Sequence, residues 1–129
     1  MTRPVALPAK LQNDIRQYQR LQQDLSQVSQ QRMQLDMKLR ETLHTLEELK
    51  SIPDDAVLYR PIGGLLVKAQ NKKEVVDLLS DDKETLEVRV KALERNENQL
   101  KERYTTMTKE LSAALQAAGV SPTGATSSS

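Results

Sequence analysis

Hydrophobic residues recur at alternating spacings of three and four along the first part of the chain. This is the heptad pattern of a helix that packs one narrow stripe against another helix. Most positions of this first seam are apolar, and the seam consists of Leu11, Asp14, Tyr18, Leu21, Leu25, Val28, Arg32, Leu35, Leu39, Thr42, Leu46 and Leu49. Glutamine and charged residues fill the other faces, as a solvated helix requires. The pattern predicts a long helix over residues 8–52, with Pro8 in its first turn and Pro53 just beyond its end.

A second seam of the same period occupies the later part of the chain. It is again mostly apolar, and it consists of Leu79, Lys83, Leu86, Val90, Leu93, Glu97, Leu100, Tyr104, Met107, Leu111 and Ala114. Asn71 is placed to cap the start of this helix while Glu74, three residues on, reaches back toward the cap. Gly119 is a natural left-handed stop. The pattern predicts a second long helix over residues 72–118.

The segment between the two helices is β-prone. Two short aliphatic runs flank Pro61–Gly64, a stretch rich in turn residues, and predict one β-hairpin over residues 56–69. Each helical seam needs an apolar partner, and the nearest one lies in the same chain. We therefore expect an all-α dominated fold with a small β element, namely a long antiparallel two-helix coiled coil connected by one β-hairpin. This domain is predicted to cover residues 1–122, and the Thr/Ser/Gly/Ala segment 123–129 is predicted to be a disordered tail.

The hairpin is predicted to assemble with other chains. A lone two-stranded hairpin is marginal in water and has two unpaired outer edges. Its apolar residues would also lie on both of its faces; they are Val57, Leu58, Tyr59, Ile62, Leu65, Leu66 and Val67. Equivalent hairpins that add edge to edge, in a closed or stacked sheet, would remove both defects. We therefore predict obligate oligomerisation through these residues.

The far ends of the two helices carry a second candidate surface. Six apolar residues lie where the termini converge: Val5, Leu7, Leu11, Leu111, Leu115 and Val120. Helix ends fray, so these side chains are expected to be partly exposed. Exposed apolar groups at such an end suit a partner that offers apolar surface of its own.

Composition and charge exclude several classes of function. The 129 residues include no Phe, Trp or Cys, and the net charge is only +1. Without a basic face, the chain has no surface that attracts nucleic acid electrostatically. Without cysteine, it has no disulfides. His44 is the only histidine, so we expect it to be solvated and predict no metal site, no cofactor and no catalytic residue. The N-terminus lacks the apolar core of a signal peptide and no segment approaches a membrane span, so we expect a soluble, cytoplasmic protein.

The layout resembles a known family. The segments Asp55–Arg60 and Gly63–Val67, set between two helices of similar length, resemble a β-type prefoldin subunit of the kind related to archaeal prefoldin β and eukaryotic subunit six. The glutamine-rich run 17–23 and the ending Ala118–Pro122 resemble archaeal members especially. The likeness extends from about Leu7 to Pro122, and Pro61 departs from the small or polar residue that is commoner in that turn.

This resemblance implies a hexameric, ATP-independent holdase. Two α-type subunits with two hairpins each would join four β-type subunits with one, and the hairpins would form a β-barrel hub. The six apolar residues at the helix ends would capture unfolded clients and pass them to a group II chaperonin. Two other interpretations stay open from the residues alone: a structural coiled-coil adaptor that binds a folded partner, and a helical-arm nucleic-acid binder, which the balanced charge disfavours.

Overall fold

The computed structural model describes residues 7–119 and contains four elements. Their order is helix α1 (Ala9–Leu49), strand β1 (Tyr59–Ile62), strand β2 (Leu65–Lys68) and helix α2 (Lys72–Ala117). The two strands pair antiparallel. The expected fold class is confirmed, because the described chain is mostly helical and has one two-stranded hairpin between two long helices. The predicted tail 123–129 lies outside the described residues, and the assignment of residues 1–122 to one domain stays a prediction.

Helix α1 ends three residues earlier than the sequence pattern predicts. Its last turn tightens, because the backbone N–H groups of Lys50, Ser51 and Ile52 each donate to the carbonyl three residues before, at 3.2 Å. Bonds of this spacing satisfy terminal carbonyls without continuing the α-helix. Pro53 then prevents any extension. At the other end, the Pro8 carbonyl accepts the first helical bond, from Gln12 N–H at 3.0 Å. Pro8 therefore stands just before α1.

The predicted caps of α2 are present. The Asn71 side-chain oxygen accepts the Glu74 N–H at 2.8 Å. The Glu74 carboxylate reaches back to the N–H of Gln70 at 2.6 Å, one residue before the position expected for a capping box. At the C-terminal end, Gly119 has a positive φ of 80° and its N–H donates to the Gln116 carbonyl. A residue with a Cβ is strained in that conformation, so glycine ends the helix.

The described chain forms two compact units. The hairpin unit comprises residues 30–94, and its buried apolar side chains are Leu49, Ala69, Leu86 and Val90. The helix-end unit comprises residues 7–29 and 95–119, and its buried apolar side chains are Leu11, Leu21 and Leu111. No side chain among residues 7–119 is less than 2% exposed. Each unit therefore packs along a narrow aliphatic seam, which explains why the missing large aromatics are tolerated.

Polar residues in the seams have partners of their own. The Thr42 hydroxyl is buried in the hairpin unit and donates to the Lys38 carbonyl at 2.9 Å. In the helix-end unit Glu97 is only 5% exposed and lies 3.8 Å from the Lys101 ammonium. Because a buried polar group costs free energy unless it is bonded, these contacts explain how the seams accommodate polar positions.

Candidate binding surfaces

The hairpin has a fixed register around a two-residue turn. Gly63 has a φ of 60° and Gly64 does not have a positive φ, as in a type II′ turn. Four residue pairs face each other across the strands: Tyr59 with Lys68, Arg60 with Val67, Pro61 with Leu66, and Ile62 with Leu65. The sequence interpretation placed Pro61 and Ile62 in the turn, and this was wrong. The tight glycine turn needs only two residues, so both belong to β1.

Apolar side chains are exposed on both faces of the hairpin. Six of the seven predicted assembly residues are exposed, with Leu65 at 71% and Leu66 at 73%, and Leu58 is half-buried. Successive residues of a strand point to opposite faces, so Tyr59 and Leu66 share one face while Val67 and Leu65 share the other. Only the base of the hairpin is covered, where Ala69 is buried and donates its N–H to the Leu58 carbonyl. The outer part offers a two-sided apolar surface.

Lys72 bonds to the loop that connects α1 to β1. Its ammonium donates to the Ile52 carbonyl at 2.7 Å and lies 3.7 Å from the Asp54 carboxylate. The Lys72 side chain is 16% exposed. This contact joins the turn after α1 to the first residue of α2, so it positions the loop that leads into β1. Sequence reasoning missed Lys72, because a lysine at the start of a helix carries no signal that distinguishes it from a solvated one.

We predict that Lys72→Met weakens this junction. The Ile52 carbonyl would lose a charge-assisted hydrogen bond, and we expect the free energy of unfolding to fall by about 1–2 kcal/mol. Lys73→Met is the matched control, because Lys73 is the exposed neighbour. Urea unfolding followed by circular dichroism measures both variants, and equal stability of the two would contradict the assigned role.

In the helix-end unit, two predicted contact residues are less exposed than expected. Leu11 is 5% exposed and Leu111 is 8% exposed, so the expectation of partial exposure was wrong for both. Both occupy seam positions, and the seam is still packed at these positions. Leu7 and Leu115 are half-buried, as expected. Val5 and Val120 lie outside the described residues.

A pair of tyrosines joins the two helices in this unit. The rings of Tyr18 and Tyr104 stack with centroids 4.9 Å apart at an interplanar angle of 18°. The Thr108 hydroxyl donates to the Tyr104 carbonyl at 2.7 Å, so the Tyr18 hydroxyl, 3.0 Å away, donates to Thr108. Hydrogen bonding to Tyr18, then burial and charge repulsion from Tyr18, raise the pKa of Tyr104 above its ordinary value.

The raised pKa predicts a loss of stability in alkali. An unfolded chain ionises Tyr104 near the ordinary value of 10.0, whereas the folded chain resists ionisation until a higher pH. The stabilisation is thus complete below pH 10 and decreases as the pH rises through the folded value. Tyr18→Phe should lower the pKa of Tyr104, which an NMR titration of the Tyr104 ring measures. A Tyr104 titration midpoint that is the same in the variant and the wild-type chain would contradict an effect of Tyr18.

A groove beside the tyrosine pair combines apolar walls with an amide rim. Its lining residues are Ile15, Tyr18, Gln19, Gln22, Thr108, Leu111, Ser112 and Leu115. Ile15 and Leu115 are half-buried, so part of each remains accessible from the groove. Ile15 lies one position after the seam residue Asp14, so the seam pattern did not single it out. Its place in this groove follows from the packing of the helices within the unit.

Comparison with known proteins identifies the family. A family model described as "Prefoldin subunit" matches residues 12–118. Prefoldin subunit beta of Archaeoglobus fulgidus is 41% identical over 105 residues, which cover 81% of this chain and 90% of that protein. Prefoldin subunit beta of Thermococcus kodakarensis is 41% identical over 110 residues, which cover 85% of this chain and 93% of that protein. The chain belongs to the prefoldin family.

A solved prefoldin structure has the same fold. The crystal structure of the prefoldin beta subunit from Thermococcus strain KS-1 superposes with a TM-score of 0.76 at 38% identity, over 87% of this chain and 97% of that chain. The resemblance to β-type prefoldin subunits is thereby confirmed. Both surfaces described above, the hairpin and the groove at the helix ends, lie within the residues that the prefoldin family covers.

As a prefoldin, the chain is a chaperone subunit, and the family is one of chaperones and not of known enzymes. His44 is exposed, as expected, with its Nε2 3.6 Å from the Glu48 carboxylate. Among residues 7–119 no three His, Cys, Asp or Glu side chains are grouped closely enough to hold a metal ion. No helix in this range has an apolar stretch that is long enough to cross a bilayer.

Proposed function

We propose that this chain is the β-type subunit of a hexameric holdase that works without ATP. Its hairpin would join a β-barrel hub built with two α-type subunits and three further β-type copies. The helix ends would capture unfolded clients and deliver them to a group II chaperonin, which would place the complex in the cytoplasm. The observation that carries the proposal is a two-stranded hairpin with exposed apolar side chains on both faces.

The case for a hub rests on the energetics of this hairpin. Two strands alone rarely make a stable sheet in water. Burial of apolar area contributes roughly 25 cal/mol per Å², and the six exposed side chains Val57, Tyr59, Ile62, Leu65, Leu66 and Val67 leave that contribution unused in the single chain. A contiguous apolar patch of this kind marks an interface between proteins. Neighbouring hairpins would cover both faces at once.

The case for client capture rests on the helix-end unit. The groove between Ile15 and Leu115 offers accessible apolar surface, and the amides of Gln19 and Gln22 at its rim keep it hydrated when empty. The proposed client-binding residues remain Val5, Leu7, Leu11, Leu111, Leu115 and Val120. Of these, the buried Leu11 and Leu111 would take part only when the helix ends open.

Several weak contacts on one hub explain how such a complex holds and releases clients without nucleotide. Each groove offers a small apolar contact whose affinity is low. When one client chain occupies several grooves, the second and later contacts form at high effective concentration, so the total affinity exceeds that of any single contact. Release then follows from the sequential loss of weak contacts.

Aggregation of a chemically denatured client tests the proposal. The chain, mixed with a two-hairpin α-type prefoldin subunit, should form a complex that suppresses light scattering by the diluted client in the absence of ATP. The uncomplexed chain at equal mass is the control, and it should suppress less because its grooves are not linked. A structural adaptor would leave client aggregation unchanged, and that result would refute the holdase.

A further inference from the structure

The groove beside the tyrosine pair extends to the last turn of α2. Its α2 wall consists of Thr108, Leu111, Ser112 and Leu115, which lie three or four positions apart and therefore share one face of the helix. Leu115 is half-buried and lies two residues before the end of α2. The chain therefore leaves the helix beside the apolar end of the groove.

The turn that ends α2 directs the next residue toward this wall. Gly119 has a φ of 80°, and its N–H donates to the Gln116 carbonyl at 3.0 Å. A bond of this spacing from a left-handed glycine is the inner bond of a Schellman motif. In that motif the residue after the glycine packs on the side chain five positions before it. The residues at those two positions are Val120 and Leu115.

The segment 120–129, which lies outside the described residues, matches the groove in polarity and in length. It contains no charged residue, although charged residues make up 29% of the chain. The lining residues of the groove are uncharged as well. The wall from Thr108 to Leu115 is about 10 Å long, and about four extended residues span that distance. Residues 120–123 are therefore long enough to cover the groove.

The segment before α1 fits the groove less well. Residues 1–6 include Arg3, whose guanidinium would lose its hydration in an uncharged groove without gaining a partner there. The chain before α1 is also held at Leu7, whose carbonyl accepts a hydrogen bond from the Gln12 side-chain amide at 2.9 Å. Neither Leu7 nor Gln12 lines the groove.

We propose that residues 120–123 fold back over the groove when no client is bound, with Val120 on Leu115. This proposal rests on the proposed client capture and adds its regulation, because a client must displace the segment. The covering segment shields Ile15 and Leu115 from water between clients. One aliphatic contact favours the covered state only a few times over the open one, so the cover weakens binding at one groove by about threefold. It also assists release, because the segment competes for the groove at high effective concentration.

Two shortened chains test the cover. A chain that ends after Gly119 loses the covering residues, whereas a chain that ends after Gly124 keeps them and is the matched control. NMR titration of the Ile15 and Leu115 methyl groups with N-acetyl-leucine amide measures access to the groove. The chain that ends after Gly119 should bind this probe about threefold more tightly than the control. In the full-length chain Val120→Gln should have the same effect, and Ala125→Gln, beyond the cover, should have none.

A nuclear Overhauser effect between the Val120 and Leu115 methyl groups gives a second measurement that needs no variant. It should be present in the full-length chain, with or without a two-hairpin prefoldin subunit, and should not change on dilution. Its absence, its loss on dilution, which indicates a second copy in the groove, or contacts from residues 1–6 instead would overturn the proposal. Equal affinity of the two shortened chains for the probe would also overturn it.

The cover and the proposed function can fail separately. If the complex suppresses client aggregation but Val120 does not contact Leu115, the proposed function stands and the cover is refuted. If the complex suppresses no aggregation, the proposed function is refuted, while the contact between Val120 and Leu115 still decides whether the cover exists.

Discussion

Replacing Tyr59 and Val67 together by aspartate is expected to abolish assembly while α1 and α2 stay helical. The two side chains lie on opposite faces of the hairpin, so the variant places a carboxylate in each surface that a neighbouring hairpin would cover. A buried, unpaired charge costs several kcal/mol or more, which exceeds the contribution of any single apolar contact there. Light scattering after size exclusion measures the assembly, and far-ultraviolet circular dichroism measures the helices.

The matched control for this variant replaces Met33 and Met37 by aspartate. Both methionines belong to the hairpin unit and are exposed, at 51% and 62%, but they lie on α1 and away from the strands. The control adds the same two charges and removes the same kind of surface. An oligomer that survives in the Tyr59/Val67 variant, or one that is lost in both variants, would refute an interface centred on the hairpin.

Replacing Ile15 and Leu115 by glutamine is expected to reduce the affinity for a client by more than about tenfold without changing assembly. Each substitution removes accessible apolar surface worth on the order of 1 kcal/mol from one groove. The loss repeats in every β-type subunit of the complex, so it multiplies in the total affinity. Glutamine already lines the rim of the groove and suits a helix, so the backbone should be unaffected. Suppression of client aggregation measures the effect.

Val88→Gln is the control for a general loss of exposed apolar surface. Val88 lies on α2 in the hairpin unit and is 67% exposed, more than either groove residue. It should leave client capture unchanged. A stronger form of the experiment deletes the residues before Leu11 and after Leu111, which removes Ser112 and Leu115 from the lining of the groove. If the Ile15/Leu115 variant or the deletion variant suppresses aggregation as well as the wild-type chain, the helix ends have no part in capture.

Most of the fold was predictable from local patterns. The two seams from Leu11 to Leu49 and from Leu79 to Ala114 predict helices because a 3.5-residue repeat can place its apolar residues on one side only in a helix. The ends follow from residues with special backbone chemistry. Pro53 excludes further helix, Asn71 caps α2 through its side-chain oxygen, and Gly119 adopts the positive φ that ends it.

The errors about burial occur where a residue's environment depends on contacts that are distant in sequence. Leu11 and Leu111 were expected to be partly exposed because helix ends fray, yet packing within the helix-end unit buries both. The groove at Ile15 and the stacking of Tyr18 on Tyr104 require side chains that are far apart in the chain. No periodicity encodes such a contact.

The sequence by itself determined the helices, the hairpin and the family, because these depend on periodicity and on the conformational limits of proline and glycine. Only the tertiary structure decided the register of the strands, and with it the place of Pro61 opposite Leu66 inside β1. It also decided the hydrogen bond that the Lys72 ammonium donates to the Ile52 carbonyl. The physical reason is that hydrogen-bond direction and burial are properties of pairs of residues, and the pairs form only when the chain folds.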